Sequence, residues 1–141
     1  MSKRLFSLLC CGLLGYAGTA ATSIAAEPPT AAEEMAPSIT QTELLARIGK
    51  QDPDLVVLDV RTPAEFAAGH VPGARNLSHD LLSSKLAELG ELRDKQVVLY
   101  CRSGRRSLLA EDTLRKAGFT KLLHLQGDYL AWEAEHRPIE K

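Results

Sequence analysis

Apolar and polar positions along the chain fall into blocks that predict short strands separated by helices. Residues 55–60 (LVVLDV) and 96–100 (QVVLY) are nearly continuous apolar runs, a pattern typical of strands buried on both faces. Residues 122–125 predict a third such strand, and residues 74–77 predict a shorter one. We therefore expect a sheet that is covered on both sides.

Capping residues mark where two helices begin. Thr40 and Glu43 have the spacing of a capping box, in which a hydroxyl and a carboxylate satisfy the first helical amides. Thr62 and Glu65 repeat that spacing, with Pro63 at the first helical position. Each helix is short, because a glycine follows within the next few residues.

Three further helices are predicted between and after the strands. The first covers residues 81–89, ending at Gly90, and the last follows Gly127. The helix between them starts at about Arg106 and ends at Gly118, with one apolar face formed by Leu108, Leu109, Leu114 and Ala117. Strands alternating with helices predict an α/β domain, a mainly parallel central sheet flanked by helices in three layers.

The N-terminal segment has the order of a secretory signal peptide. Lys3 and Arg4 precede an uncharged apolar run, and small residues follow up to Ala26. The run is shorter than the roughly 20 residues that span a bilayer, which argues against a membrane anchor. We expect residues 1–26 to be cleaved, 27–38 to be a flexible linker rich in Pro, Ala and Glu, 39–137 to be the domain and 138–141 a tail.

Charge excludes some classes of partner. The chain has 17 basic and 18 acidic residues, and loss of Lys3 and Arg4 with the signal leaves 15 basic residues, a net charge of −3. Such a surface does not attract nucleic acid or an anionic membrane as a whole. Any anion site must therefore come from a local cluster of basic residues.

Removal of the signal also leaves a single cysteine. Cys10 and Cys11 lie in the apolar run, so Cys101 remains alone and cannot form an internal disulfide. It is either an inert buried thiol or a reactive one. Its neighbours favour the second interpretation.

The segment 101–107 (CRSGRRS) runs from the end of a strand through a short loop into a helix. The edge where parallel strands end is the usual ligand edge of such a sheet, and amides at a helix start can converge on an anion. Three nearby arginines would favour the thiolate form of Cys101, and Gly104 allows a tight turn. The alternative is that these arginines are simply solvated.

Four segments together resemble the rhodanese-type sulfurtransferases. The loop 101–107 is similar to their active-site loop, and Gly69 to Ala74 (GHVPGA) is similar to their G-H-I-P-G-A signature. Residues 58–61 (LDVR) followed by 65–66 resemble their first core strand and its helix, and Gly127 with Trp132 resembles their late motif. The family usually has a second glycine where this chain has Asp128. The resemblance covers about residues 39–137.

This resemblance implies a reaction, with Cys101 as the catalytic nucleophile. Cys101 would take the outer sulfur of thiosulfate as a persulfide and pass it to cyanide, a thiol or a protein acceptor such as a thioredoxin-like partner. The enzyme implied is a thiosulfate sulfurtransferase. The substrate-binding residues that it implies are Arg102, Ser103, Gly104, Arg105, Arg106 and Ser107.

Two other functions are weighed against this one. Phosphatases and arsenate reductases of similar fold carry a longer loop with an arginine where this chain has Ser107, while Arg106 falls one position early. A sulfur-relay protein with little thiosulfate turnover needs the same loop, so the sequence leaves that alternative open.

The other polar residues are given structural roles. Asp59 and Arg61 are expected to form an ion pair or hydrogen bonds that support the site at the strand end. The four histidines are scattered and show no zinc-like spacing, so we predict neither a metal nor a cofactor. The signal peptide predicts a periplasmic protein without stable membrane insertion.

Overall fold

Five strands form one sheet in the order β1-β5-β4-β2-β3 in the computed structural model, which describes residues 35–141. All neighbouring strands run parallel. The strands are β1 (Ser38–Ile39), β2 (Leu55–Asp59), β3 (Arg75–Asn76), β4 (Gln96–Tyr100) and β5 (Leu122–Leu125). The helices are α1 (Gln41–Gly49), α2 (Pro63–Ala68), α3 (Arg105–Lys116) and α4 (Asp128–Ala134), with a 3₁₀ helix at Ser83–Leu92.

The two central strands carry the apolar runs because helices cover both faces of the sheet. β2 and β4 pair over their full length, with Leu55 opposite Gln96 and Asp59 opposite Tyr100. Alternate residues enter two separate cores, one against α3 and the 3₁₀ helix, the other against α1 and α4. Cys101 belongs to the core on the α3 side. The predicted α/β class and parallel sheet are confirmed.

The fold starts before the point that the apolar pattern indicates. Ala36 is buried, and Pro37 accepts a hydrogen bond from the His124 backbone. Ser38 opens β1, which pairs with β5 at the sheet edge. Residues 36–38, expected to belong to the linker, thus pack on the domain. A two-residue strand has no periodicity of its own, and its pairing with a distant strand holds it in place.

Helix α3 packs against the core only two of the four residues that the sequence places on its apolar face, Leu114 and Ala117. Leu108 and Leu109 are 40% and 56% exposed, so their assignment to the buried face is wrong. The buried residues of this helix are Ser107, Ala110, Glu111 and Leu114. The Ser107 hydroxyl donates to Asp128 on α4, and Glu111 accepts from the Ala36 backbone amide, so both polar side chains of this face are held by neighbouring segments.

The segment before β4 is a 3₁₀ helix and not the α-helix expected there. Its inward leucines, Leu86, Leu89 and Leu92, recur every three residues, which is the period of a 3₁₀ helix. The helix continues through Gly90, where the sequence predicts its end. Gly90 thus lies inside the 3₁₀ helix and does not end it.

The last residues are tied to the domain. The Trp132 indole donates to the Pro138 carbonyl at 2.8 Å, and His70 and Glu140 exchange two backbone hydrogen bonds. These contacts place the expected tail, residues 138–141, beside the end of α2.

The expected signal peptide and residues 27–34 of the expected linker lie outside the described residues. In residues 35–141, every helix is too short or too polar to cross a lipid bilayer.

Candidate active site

Cys101 lies directly after β4, at the edge where the parallel strands end. The Tyr100 carbonyl still accepts a sheet hydrogen bond from the Val60 amide, so the position of Cys101 is set by the sheet. Cys101 is 1% exposed, and the Gly104 amide donates to its Sγ at 3.1 Å. Gly104 has φ +95°, a left-handed conformation that turns this amide toward the sulfur. A negative sulfur would therefore meet a backbone donor already in place.

The Ser107 hydroxyl is shared among three acceptors at the start of α3. Its Oγ lies 2.7 Å from the Gly104 carbonyl oxygen, 3.3 Å from Oδ1 of Asp128 and 3.7 Å from Sγ of Cys101. A hydroxyl carries one hydrogen, so these acceptors compete for it. Ser107 can therefore turn its hydrogen to Sγ when that atom becomes negative.

The three arginines of the loop have different surroundings. Arg102 and Arg105 are exposed, as is Ser103, and neither arginine forms an ion pair within the described chain. Arg106 instead donates to both carboxylate oxygens of Glu65, at 2.7 and 2.8 Å. This contact raises the pKa of Arg106. The positive charge not already paired at this edge thus comes from Arg102 and Arg105.

Glu65 reaches Arg106 because a capping box fixes its side chain. The Thr62 amide donates to Oε2 of Glu65 at 3.1 Å, and the Glu65 amide donates to the Thr62 hydroxyl at 3.3 Å. Hydrogen bonds from Arg106 and Thr62 lower the pKa of Glu65 from 4.5 to about 2. The Glu65–Arg106 pair links α2 to α3. Its contribution to stability is present above pH 4.5 and is lost as the pH falls toward 2.

Asp59 and Arg61 form a buried ion pair at the end of β2. The closest oxygen–nitrogen distance is 2.6 Å, and the two residues are 0% and 3% exposed. Arg61 also donates to the Gly69 carbonyl at 2.8 Å, and its guanidinium lies 3.8 Å from the centre of the Tyr129 ring. Burial lowers the pKa of Arg61, but its hydrogen bonds with Asp59 give a net rise. The pair therefore connects β2 to the start of α4.

Asp128 is a site residue that the sequence did not identify as one. Its Oδ1 accepts from the Cys101 backbone amide at 2.8 Å, and its Oδ2 lies 2.9 Å from Nε2 of His124. The next two amides, of Tyr129 and Leu130, donate to the carbonyls of Cys101 and Arg102. The start of α4 thus holds the backbone of the cysteine loop. In the sequence, Asp128 stands out only as a departure from the family motif.

A shallow pocket of about 160 Å³ lies beside the loop. Arg61 and Arg102 line it together with Glu65, Tyr129 and Glu133, so its wall carries charges of both signs. Cys101 is not among the lining residues. The pocket is a neighbour of the thiol and not the cavity that contains it.

A cysteine held at the end of a parallel strand, with a backbone donor on its sulfur and a helix starting behind it, has the arrangement expected of a nucleophilic cysteine on an α/β sheet. The chain belongs to the rhodanese-like domain family, whose model matches residues 40–135. The resemblance inferred from the sequence is therefore confirmed.

Individual proteins agree with this assignment. A sulfurtransferase of Allochromatium vinosum is 40% identical over 86 residues, which cover 61% of this chain and 78% of that protein. The crystal structure of a rhodanese-related protein from Thermoplasma volcanium superposes with a TM-score of 0.63 at 29% identity, covering 74% of this chain and 97% of that one. A rhodanese-like domain from Anabaena gives a TM-score of 0.65 at 27% identity, covering 75% and 80%.

Proposed function

We propose that this chain is a sulfurtransferase that carries the sulfane sulfur of thiosulfate on Cys101 as a persulfide. The observation that carries the proposal is the Gly104 amide aimed at Sγ of Cys101 at 3.1 Å. Family membership and a relative named as a sulfurtransferase support sulfur transfer in general. Thiosulfate as the donor is our more specific proposal.

The reaction has two displacements at sulfur. The Cys101 thiolate attacks the outer sulfur of thiosulfate and forms a sulfur–sulfur bond, and sulfite leaves with the electrons of the bond that breaks. Cyanide or a thiolate then attacks the outer persulfide sulfur and releases Cys101 as the thiolate. No net oxidation or reduction is needed when cyanide and thiosulfate give thiocyanate and sulfite.

Charge around the loop favours a dianionic donor. Because Glu65 already neutralises Arg106, the attraction has to come from Arg102 and Arg105, which are exposed at the loop surface. The same arrangement argues against a phosphatase. Ser107 occupies the place of the arginine that such enzymes use, and it is buried behind the loop.

A sulfur-relay protein is the second candidate, and exposed apolar side chains next to the loop favour it. Leu108 and Leu130 are 40% and 43% exposed. Their amides donate to the carbonyls of Gly104 and Arg102, so both leucines adjoin the cysteine loop. A protein acceptor could bury these side chains while presenting its thiol to Cys101. If the protein is such a relay, its turnover of thiosulfate should be slow.

Mass spectrometry of the purified chain separates these two functions. A sulfurtransferase incubated with thiosulfate should gain one sulfur atom, ~32 Da, and should lose it as thiocyanate when cyanide is added. A relay protein should gain no sulfur from thiosulfate but should gain it from glutathione persulfide. If the chain gains no sulfur from either donor, both functions are wrong.

Replacing the two unpaired arginines should weaken thiosulfate binding. We expect Arg102→Ala and Arg105→Ala each to raise KM about two- to fivefold, the size expected for an exposed charge contact, with kcat little changed. Steady-state thiocyanate formation at low salt measures the effect. Lys116→Ala is the control, since Lys116 lies at the far end of α3, the helix that begins at Arg105. If the double arginine variant has the KM of Lys116→Ala, these charges do not bind the donor.

Export is a separate prediction. If residues 1–26 are a signal peptide, the mature protein should begin near Glu27 and should be released with the periplasm. Intact-mass measurement of the protein from a periplasmic fraction tests this. A mass that includes residues 1–26 would contradict cleavage.

A further inference from the structure

Asp128 occupies a costly backbone conformation, and its side chain has specific partners that offset the cost. Its φ is +51°, in the left-handed region that residues other than glycine, asparagine and aspartate rarely adopt. It is 4% exposed, and both carboxylate oxygens have partners, the Cys101 amide on Oδ1 and the His124 ring on Oδ2. A buried carboxylate with two such contacts has a role in placing Cys101.

A carboxylate at this position would oppose the charge that the reaction needs. The Ser107 hydroxyl lies within 3.3 Å of Oδ1 of Asp128 and 3.7 Å of Sγ of Cys101, so one hydroxyl separates the carboxylate from the sulfur. Two negative groups this close disfavour each other in a buried setting. An uncompensated Asp128 would therefore oppose negative charge on the sulfur.

His124 can supply the compensating charge. Its charged neighbours are Asp128 on α4 and Glu111 on α3, the latter paired with Arg115 at 2.6 Å. Its register neighbours on β1 and β4, Ser38 and Leu99, are uncharged. The hydrogen bond with Asp128 raises the pKa of His124 although burial lowers it. The ring thus stays positive to a higher pH than an ordinary histidine.

A second observation on this side of the sheet is consistent with a charged imidazole. Nδ1 of His124 and Oε2 of Glu111 are both buried and have no hydrogen-bond partner within residues 35–141. Nδ1 is a hydrogen-bond donor when the ring is protonated, and the carboxylate oxygen Oε2 is an acceptor. The negative charge of Glu111 raises the pKa of His124 further, in addition to the effect of Asp128.

We propose that Asp128 and His124 form a positioning pair for Cys101, in which Asp128 holds the cysteine backbone and protonated His124 offsets the carboxylate charge so that the thiolate can form. The proposal deepens the proposed function, since it concerns the same thiol. It assigns a role to the residue that stands where the family motif has a glycine. Neither member of the pair needs to touch the sulfur donor.

The rate of Cys101 alkylation by iodoacetamide, followed from about pH 5 to about pH 10, tests the electrostatic part. Removing the positive charge with His124→Gln, which keeps an amide donor for Asp128, should raise the pH midpoint of alkylation by about 0.5 to 1 unit. Asp128→Asn removes the carboxylate and also the contact that raises the pKa of His124, so both charges are lost near the midpoint, which should stay close to that of the wild type. The double variant should match Asp128→Asn for the same reason. Equal midpoints in all four proteins would overturn the proposal.

A second comparison tests the backbone part. Asp128→Asn and Asp128→Gly both remove the charge and both tolerate the left-handed conformation, but only asparagine keeps an oxygen for the Cys101 amide. At a pH above the midpoint, the alkylation rate of Cys101 in Asp128→Gly should differ several-fold from the rate in Asp128→Asn, because the cysteine loop is no longer held in place. Identical rates in the two variants would show that Asp128 does not position the loop. Circular dichroism checks that each variant is folded, and Asp112→Asn on the exposed side of α3 is the control for a lost carboxylate.

The pH dependence of Tm shows whether His124 stabilises the folded protein when it is protonated. A histidine whose pKa is raised on folding stabilises the protein below its ordinary value of 6.5, and that stabilisation is lost as the pH rises through the higher folded value. The Tm of the wild type should therefore fall over that interval relative to the Tm of His124→Gln. Alkylation needs no sulfur donor, so it tests the Asp128–His124 pair independently of the proposed function. If the thiosulfate assay fails but the alkylation midpoints shift, thiosulfate is not the donor and the positioning pair is still supported.

Discussion

Cys101→Ser is expected to abolish persulfide formation and to lower the thiocyanate rate by at least about a thousandfold. A serine hydroxyl is not ionised near neutral pH and cannot form the sulfur–sulfur bond that holds the transferred atom. The replacement changes one atom, and the contacts around it, from the Gly104 amide and the Ser107 hydroxyl, can form to oxygen as well. The loss should therefore be chemical and not structural, with a Tm within a few degrees of the wild type.

The other cysteines provide the matched control for this experiment. Cys10 and Cys11 are present whenever the N-terminal segment is retained, and a persulfide on either would give the same mass gain. The double variant Cys10→Ser, Cys11→Ser should keep the full gain of ~32 Da and the full rate. If the mass gain survives in Cys101→Ser and disappears in the double variant, the persulfide forms on Cys10 or Cys11 and our proposal is wrong.

The parts of the molecule that the sequence predicts are those determined by neighbouring residues. The apolar runs of β2 and β4 need only burial on both faces, and both strands lie where the sequence places them. The strand, turn and helix start around Cys101 are likewise encoded within seven consecutive residues. Local order was enough to bring Gly104 next to the sulfur. The catalytic and binding roles given to the loop residues stay predictions until they are measured.

The parts that the sequence did not predict depend on contacts between distant segments. Glu65 and Arg106 meet across 41 positions, and Asp128 reaches Cys101 across 27. Nothing in the spacing of these residues indicates either contact, because each depends on how α2 and α4 pack at the sheet edge. His124 illustrates the same limit, since it lies four positions from Asp128 without any helix joining them. Knowledge of the sheet order is needed before these pairs can be inferred.

Breaking the Asp59–Arg61 pair should produce the largest loss of stability among these variants. Asp59→Asn leaves the Arg61 guanidinium buried without a counter-charge, and removing one partner of a buried pair costs about 3 to 5 kcal/mol. Total stability of a domain this size is about 5 to 15 kcal/mol, so a large share would be lost. Urea unfolding of wild type and variant at neutral pH measures the difference.

Two further variants show whether charge burial is the cause. Glu91→Gln breaks the exposed pair with Arg75, whose side chains are 59% and 68% exposed, and should cost less than about 1 kcal/mol. The double variant Asp59→Leu, Arg61→Met removes both buried charges and should recover much of the loss, because neither charge then has to be desolvated. If Asp59→Asn costs no more than Glu91→Gln, Arg61 is solvated in solution and does not lie between β2 and Tyr129. If the double variant is stable but transfers sulfur slowly, the pair also orders the start of α4, whose Tyr129 amide holds the Cys101 carbonyl.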